Sequence, residues 1–565
     1  FSDLRLMVEI AADLGASVVG LNPLHALFPH NPWHCSPYSP SSRLFLNMAY
    51  LDVEAIEDLE GSVLVAEAMA SEEFKERLAT CRQREEIDYG DVVSLKRWIL
   101  ELIFRHFREH HLEGSLSERG RAFRDWIEDG GEALQRHALY EALQEHFHAK
   151  DPGVWGWQLW PEAYQDPTNP EVSAFAGAQR ERVEFFQYVQ WQADHQLASA
   201  AQRAEELGLG IGLYADLAVS VDRAGAEAWS NQEVFAEDAA AGAPPDALAP
   251  QGQNWGLPPL IPSALEEAEY APFAAILAAT MRHAGALRID HVMGLLRLFW
   301  APQGRPASEG AYVHYPFDDL IGIVALESHR NHCLVIGEDL GTVPDEVREK
   351  LHTWGVLSYR IFFFEREEDG RFLAPKRYPR QALVAASTHD LPTLAGFWAG
   401  RDLAWRSELG IFPTRERERE EERLRAVDRQ RILDALTAVG LLPSDRRHDA
   451  SELLELPPEV RIAVHAYLAQ TPAQVMMLQW EDLLGLVEQV NLPGTTDEHP
   501  NWCRRLPAGV DELGRLLQFE GLLAALRSGP GDRRGLQTGD PGSSGDPLDP
   551  LDPLEHGNAS AAHRR

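Results

Sequence analysis

Four acidic side chains stand where carboxyl chemistry could be done. Each closes or follows a short apolar run of the kind found in buried parallel strands. Asp216 ends Gly210-Ile211-Gly212-Leu213-Tyr214-Ala215, and Asp290 ends Ala286-Leu287-Arg288-Ile289. Glu338 ends Cys333-Leu334-Val335-Ile336-Gly337, and Asp390 ends the run that starts at Leu383. Cleaving a glycosidic bond needs one carboxyl to protonate the leaving oxygen and another to meet the developing oxocarbenium ion; retaining chemistry sets the two ~5 Å apart. Taken singly, each acid has an ordinary structural reading, since Asp at a strand end often caps a helix or closes a turn. Four in register are harder to read that way. Arg288, two residues before Asp290, shares its face of an extended strand, and a guanidinium there favours a charged carboxylate. The structural alternative is an ion pair across the interior of a barrel.

The surrounding elements have the rhythm of a (β/α) barrel, in which loops after strands carry function. Phe1–Leu14 has helical periodicity and stops at Gly15, and Ala16–Leu21 reads as a buried strand. It opens into Asn22-Pro23-Leu24-His25 and a loop rich in Pro, Ser and aromatics that runs to Asn47. Glu181–Leu207 reads as a long amphipathic helix leading to the Asp216 strand, and the later strand units recur at intervals of about fifty residues, which leaves room for loop insertions. Charged, helix-periodic blocks at about 53–150 and 401–470 are expected to be helical insertions in a catalytic unit spanning 1–530. Residues 531–565, rich in Gly, Pro and Asp, cannot bury a core and are expected to be disordered.

Composition narrows the partners. The 565 residues carry 52 Lys+Arg against 88 Asp+Glu, a formal net charge of −36, which opposes nucleic-acid binding and suits a neutral substrate or plain solubility. No apolar run is long enough to span a membrane. Cys35, Cys81, Cys333 and Cys503 have no spacing that suggests zinc or a disulfide framework, and a reducing cytoplasm fits them best. His25, His291 and His389 read as hydrogen-bonding groups rather than metal ligands, so neither metal nor cofactor is expected. Most of the 15 Trp belong to packing, Trp191, Trp354 and Trp480 among them. Trp255, in a Gly- and Pro-rich loop beside Gln253, is the better candidate to stack on a sugar, with Tyr38 a weaker one.

Three segments make the pattern specific: Leu287-Arg288-Ile289-Asp290-His291, Ile336-Gly337-Glu338-Asp339-Leu340-Gly341-Thr342-Val343-Pro344 and Thr388-His389-Asp390-Leu391-Pro392-Thr393. They resemble the catalytic signatures of the α-amylase superfamily in its amylomaltase branch, the 4-α-glucanotransferases of bacterial type. Leu21–His25, Ser36–Arg43, Gly252–Gly256 and Asn491–Thr495 also match that branch. The resemblance runs from Phe1 to about Leu526.

The resemblance implies a (β/α)8 TIM barrel. In the family a further strand and a short loop containing Trp and Gly precede the segment that begins here at Phe1, so the first barrel strand is expected to be missing from a start that is trimmed or fragmentary. It implies catalytic roles for Asp290 as nucleophile, Glu338 as general acid/base and Asp390 as the partner that holds the distorted sugar. It implies substrate contacts from Tyr38, Asp216, Gln253, Trp255, Arg288, His389 and Asn491. The implied partners are maltooligosaccharides and α-1,4-glucans, with transfer to a 4-hydroxyl as the reaction. Three competing readings are a glucan hydrolase, a glucan-binding protein that has lost catalysis, and a metal-dependent barrel hydrolase.

Overall fold

The apolar runs that lead to acidic residues pair side by side. Seven strands, β1 (Val18–Gly20), β2 (Gly212–Leu217), β3 (Ala286–Ile289), β4 (Leu334–Gly337), β5 (Leu357–Ile361), β6 (Ala382–Ala385) and β7 (Val475–Met476), form one parallel sheet in sequential order. It is the curled sheet of a TIM-barrel enzyme, and most strands are preceded by the helix that packs behind them, including Ser2–Asp13, Arg180–Glu206, Ala271–Met281 and Phe317–Arg330. The computed structural model describes residues 1–245, 251–341, 343, 345–443 and 449–516; the tail expected to be disordered, 531–565, lies outside the described residues.

Register does much of the positioning. Asp216 is paired with Arg288 and Arg288 with Ile336, while Leu217, Ile289 and Gly337 line up one residue further on. Asp290 and Glu338 therefore leave their strands at the same level. Hydrogen bonds from Asp290 N to Leu217 O (3.1 Å) and from Glu338 N to Ile289 O (3.0 Å) extend the ladder through that level. Glycine is required at two places here. A Cβ on Gly337 would lie 2.8 Å from the Val292 side chain. A Cβ on Gly20 would lie 2.6 Å from the Met477 methyl and 3.0 Å from the Tyr214 ring, because the Met477 side chain reaches from the end of β7 to β1 inside the sheet's curl.

Besides β1, two elements of the sheet, β5 and β7, carry no acidic signature. β5 lies in Val356-Leu357-Ser358-Tyr359-Arg360-Ile361-Phe362-Phe363, whose apolar run was available to be read, and β7 is only two residues long. A separate antiparallel sheet of Ala239–Ala243, Gln253–Asn254, Arg297–Pro302 and Ala311–His314 lies in the connections around β3. Residues 63–148 fold mainly as four helices, the last of which kinks at Gly131 (φ 54°). They share a core with the Arg180–Glu206 helix, built on Leu100, Phe107, Phe123, Tyr140 and Tyr188. Trp191 belongs to that core, but Trp354 does not pack as core: it directly follows the helix Asp345–Thr353 and is 46% exposed. Among the described residues no helix is long and apolar enough to cross a membrane.

The loop after β1 is stitched to the loop after β2 by a buried ion pair. Glu227 accepts hydrogen bonds from Arg43 N (2.7 Å), Nε (3.2 Å) and Nη2 (2.6 Å), and Arg43 Nη1 also donates to Val219 O (3.0 Å). Ser41 Oγ and O accept from Ala226 N and Glu227 N, and Asp222 N donates to Pro40 O. The Ser36–Arg43 segment is thus held along its length. Removing one partner of a buried pair leaves an uncompensated charge. Arg43→Ala is expected to destabilise the fold by about 3–5 kcal/mol, read from the urea unfolding midpoint; an unchanged midpoint would show that the pair contributes nothing.

Candidate active site

At the C-terminal ends of the strands, one guanidinium organises the carboxylates. Arg288, buried in β3, donates from Nη1 to Asp216 Oδ1 (2.8 Å) and Oδ2 (3.0 Å), while its Nη2 lies 2.8 Å from Asp290 Oδ1. Burial works against the Arg288 charge, yet Asp216 and then Asp290 outweigh it and hold its pKa well above the usual range. Burial pushes the Asp216 carboxyl up, and Arg288 opposes that. Tyr38 Oη donates to Asp216 Oδ2 at 2.5 Å, which fixes the phenol against the same carboxylate; burial, then the Asp216 charge, push its hydroxyl well above 10.

Glu338 sits differently. Burial raises its carboxyl from 4.5 to about 7, Arg288 pulls it down and Asp290 pushes it further up. Its oxygens accept from Leu340 N (2.7 Å) and His291 N (3.0 Å). The donor of the second bond, His291, has an uncommon backbone, with φ 47° in the left-handed region.

Asp390 is the exception to a strand-end reading. β6 stops at Ala385, five residues earlier, and the chain bends through Ser387 and Thr388, with Ser387 Oγ donating to Pro392 O and Asp390 N to Thr388 Oγ1. Polar Ser and Thr capture the backbone locally and end the ladder. The bend leaves Asp390 47% exposed, with His389 Nε2 3.4 Å from Oδ2 and Asn491 Nδ2 donating to Oδ1 at 2.6 Å. Burial of the surroundings would raise this carboxyl, but His389 and Asn491 hold it below its ordinary range. Burial likewise opposes the His389 charge, and Asp390 overrides it to raise the imidazole.

Aromatic rings wall the site. Tyr38 stacks on His389 with centroids 4.7 Å apart, and Trp502 leans on both at 5.6 and 5.3 Å. On another side Trp255 meets His291 edge to face at 5.2 Å and donates from Nε1 to Gln253 Oε1 (2.9 Å). The structure thus joins Tyr38, Asp216, Arg288, Asp290, His389, Asp390 and Asn491 through direct contacts. Glu338 is linked through His291, while Gln253 stands exposed behind Trp255. His25 lies apart, buried, with Nε2 accepting from Ala218 N at 3.4 Å and its pKa lowered by burial to about 3.

Sequence reasoning missed Trp502 and Tyr359. Tyr359 lies under Arg288, whose guanidinium carbon is 5.5 Å from its ring. Its position on the unread strand β5 hid it. Trp502 follows Asn501 in a polar loop, and that aromatic was the available signal. Among the described residues no group of three or more His, Cys, Asp or Glu is arranged to hold a metal ion.

Fold and site together define a (β/α)-barrel enzyme with differently tuned carboxylates at the C-terminal ends of its strands. The chain belongs to the 4-α-glucanotransferase family, whose model matches residues 1–511. It is 38% identical over 509 residues to a 4-α-glucanotransferase of Haemophilus influenzae, covering 90% of this chain and 72% of that protein. It is 39% identical over 530 residues to one of Mycobacterium tuberculosis, covering 91% and 69%. The crystal structure of amylomaltase from Corynebacterium glutamicum superposes with TM-score 0.80 at 31% identity, covering 93% of this chain and 72% of that one. Amylomaltase from Streptococcus agalactiae, in complex with acarbose, shares the fold with TM-score 0.70 at 20% identity, over 93% of each chain.

A carboxyl raised to about 7 is protonated below that pH and loses its proton above it. A general acid with this pKa gives kcat/KM a descending limb centred at about pH 7, falling about tenfold per pH unit beyond it. Initial rates of maltotriose disproportionation, measured from about pH 5 to about pH 9, would test this. A rate still flat at the upper end removes Glu338 as the acid.

Proposed function

We propose that this chain breaks an α-1,4-glucosidic bond and rejoins the donor segment to the 4-hydroxyl of glucose or another glucan, by a retaining double displacement. The observation that carries the reading is the contrast between adjacent, registered carboxyls: Asp290 in an ion pair with Arg288, Glu338 buried with its pKa raised to about 7. Retaining glycoside chemistry needs that pair of states, an anionic nucleophile beside a carboxylic acid.

In this reading Asp290 attacks the anomeric carbon while Glu338 gives its proton to the departing oxygen, leaving a glucosyl ester on Asp290. Glu338, now ionised, takes the proton of the incoming 4-hydroxyl as that oxygen attacks the anomeric carbon, which breaks the bond to Asp290 and releases its carboxylate. Asp390 and His389 accept and donate hydrogen bonds to the hydroxyls of the flattened sugar. Asp216, fixed by Arg288 and Tyr38, lines the same subsite. Trp255, Gln253, Tyr38 and Asn491 offer the surface along which the glucan lies, with ring faces suited to the apolar faces of glucose. Maltooligosaccharides and longer α-1,4-glucans are the substrates, and the cytoplasm, where such stores are turned over, is the proposed location. Transfer is favoured over hydrolysis by the family to which the chain belongs, since both reactions share the first half and differ only in the acceptor.

Incubation with maltotriose, with products resolved by chain length, tests the function: a ladder of longer maltooligosaccharides together with glucose is expected. Glucose and maltose without a ladder would establish hydrolysis instead. Asp290→Ala is expected to lower turnover about 10⁴-fold or more while leaving the circular dichroism spectrum unchanged; near-normal turnover sinks the nucleophile assignment. With Glu338→Gln and a fluorinated donor, a trapped glycosyl-enzyme is expected by mass spectrometry, and rapid turnover of that donor would move the acid/base role elsewhere.

A further inference from the structure

Cys35 and Cys503, 468 positions apart in sequence, meet beside the aromatic wall, with their sulfurs 3.8 Å apart. Both are free thiols and both are partly exposed. Cys35 precedes Tyr38 by three residues, and Cys503 directly follows Trp502. The hydrogen bond between the two sulfurs, and then the neighbouring Arg504 cation, hold the Cys503 thiol below its ordinary pKa against burial and Glu86; the same bond raises Cys35. A partly exposed thiol of lowered pKa, 3.8 Å from a second thiol, is the arrangement of an attacking and a resolving cysteine.

The loop around Cys503 is tied to the helical insertion and to the site at once. Cys503 O accepts from Ile87 N (2.7 Å) and Trp502 O from Tyr89 Oη (2.8 Å). Asn501, whose carbonyl lies 3.7 Å from the Cys35 sulfur, accepts from Leu492 N through Oδ1 (2.8 Å) and donates through Nδ2 to Thr495 Oγ1 (2.9 Å), which shapes the turn presenting Asn491 to Asp390. Trp502 itself has φ 64°, so the turn is held in a backbone conformation that few side chains adopt.

We propose that Cys35 and Cys503 are a reversible oxidation site for hydrogen peroxide, and that the disulfide they form slows the chemistry at the neighbouring carboxylates. The Cys503 thiolate attacks the peroxide O–O bond, which leaves a sulfenic acid and one water once the released hydroxide takes a proton. Cys35 then displaces the sulfenic oxygen as a second water and closes the S–S bond. In balance, two thiols lose two protons and two electrons, and one hydrogen peroxide becomes two waters. A small dithiol reverses the bond by exchange and is itself oxidised. Such disulfides are transient in a reducing compartment, which suits a switch rather than a staple.

Closing the bond requires the sulfurs to approach by roughly 1.8 Å, to about 2.05 Å. Cys503 is pinned through its carbonyl, and Cys35 through its neighbour His34, which lies 3.1 Å from Asp222. The approach is therefore passed to the segments that carry Tyr38, three residues after Cys35, and Trp502, directly before Cys503, whose rings pack on His389. A displacement of about 1 Å among reacting groups can cost 10²-fold. Tyr38 acts on the reacting carboxylates at second hand, through Asp216 and through His389, and a loss of about tenfold is expected.

The effect on turnover rests on the transferase reading; the cross-link does not. The test takes the reduced full chain, treats it with hydrogen peroxide in small excess, alkylates it and maps its peptides, with the maltotriose transfer rate followed alongside. A Cys35–Cys503 linked peptide is expected, with Cys81 and Cys333 found alkylated, a roughly tenfold slower transfer rate, and recovery on adding dithiothreitol. Cys35→Ser and Cys503→Ser are each expected to keep their transfer rate through the same treatment. Absence of the linked peptide overturns the proposal, as does a linked chain that transfers at full rate or a serine variant that slows to the same degree. A reduced chain with no transfer activity strikes the transferase reading instead, and the peptide map still decides the oxidation site.

Discussion

The site depends on a cation buried where it could not stay alone. Taking a guanidinium out of water costs several kcal/mol after relaxation, which attraction offsets only when the partners are close and well directed. Arg288 has two such partners, Asp216 at 2.8 and 3.0 Å and Asp290 at 2.8 Å. At an effective dielectric of about 20, a pair at 4 Å is worth about 4 kcal/mol, so two carboxylates at hydrogen-bond distance can hold the charge where one would be marginal. The arrangement fixes two acidic side chains with one group. It also uses up the positive charge on two of the acids, and Glu338 receives only what is left.

A second constraint keeps the walls in place. The residues that would meet a sugar ring come from loops, and loops have no ladder to fix them. Here each is stitched by a buried side chain: Ser36–Arg43 by Arg43 on Glu227, and the 491–502 segment by Asn501. The first stitch reaches across the fold, between residues 184 positions apart in sequence, whereas the second closes a local turn within the segment. The helical insertion takes part in the second, since Ile87 and Tyr89 bond the Trp502 and Cys503 carbonyls.

What could be read in the sequence follows from how local the signal was. Strands β2, β3 and β4 were visible because short apolar runs ended abruptly in an acid, and their parallel register brings those acids level. Asp390 was legible as a residue but not as a place, because the strand it was assigned to ends at Ala385 and Ser387 and Thr388 bend the chain beyond it. β7 is two residues long, and nothing in a two-residue strand distinguishes it from loop. Trp354 was read as packing, yet it is 46% exposed: one aromatic after a helix carries no information about which side it faces. The Cys35–Cys503 contact was beyond reach, since spacing along the chain says nothing about residues joined only by tertiary structure.

The raised pKa of Glu338 shows which effect wins at the point of chemistry. Two backbone N–H groups and Arg288 all favour its charged form, and carboxylates with such partners ordinarily titrate low. Burial, helped by Asp290, nevertheless carries it from 4.5 to about 7, a change worth about 3 kcal/mol. The N–H groups are then better understood as orienting the carboxyl than as ionising it. His291, which supplies one of them, has φ 47°, and its surroundings hold that turn: Val292 N donates to Glu338 O (3.0 Å) and Trp255 packs against the imidazole. An acid of this kind has to be aimed as well as tuned. Two backbone N–H groups do the first, and burial does the second while Arg288 is occupied with Asp216 and Asp290.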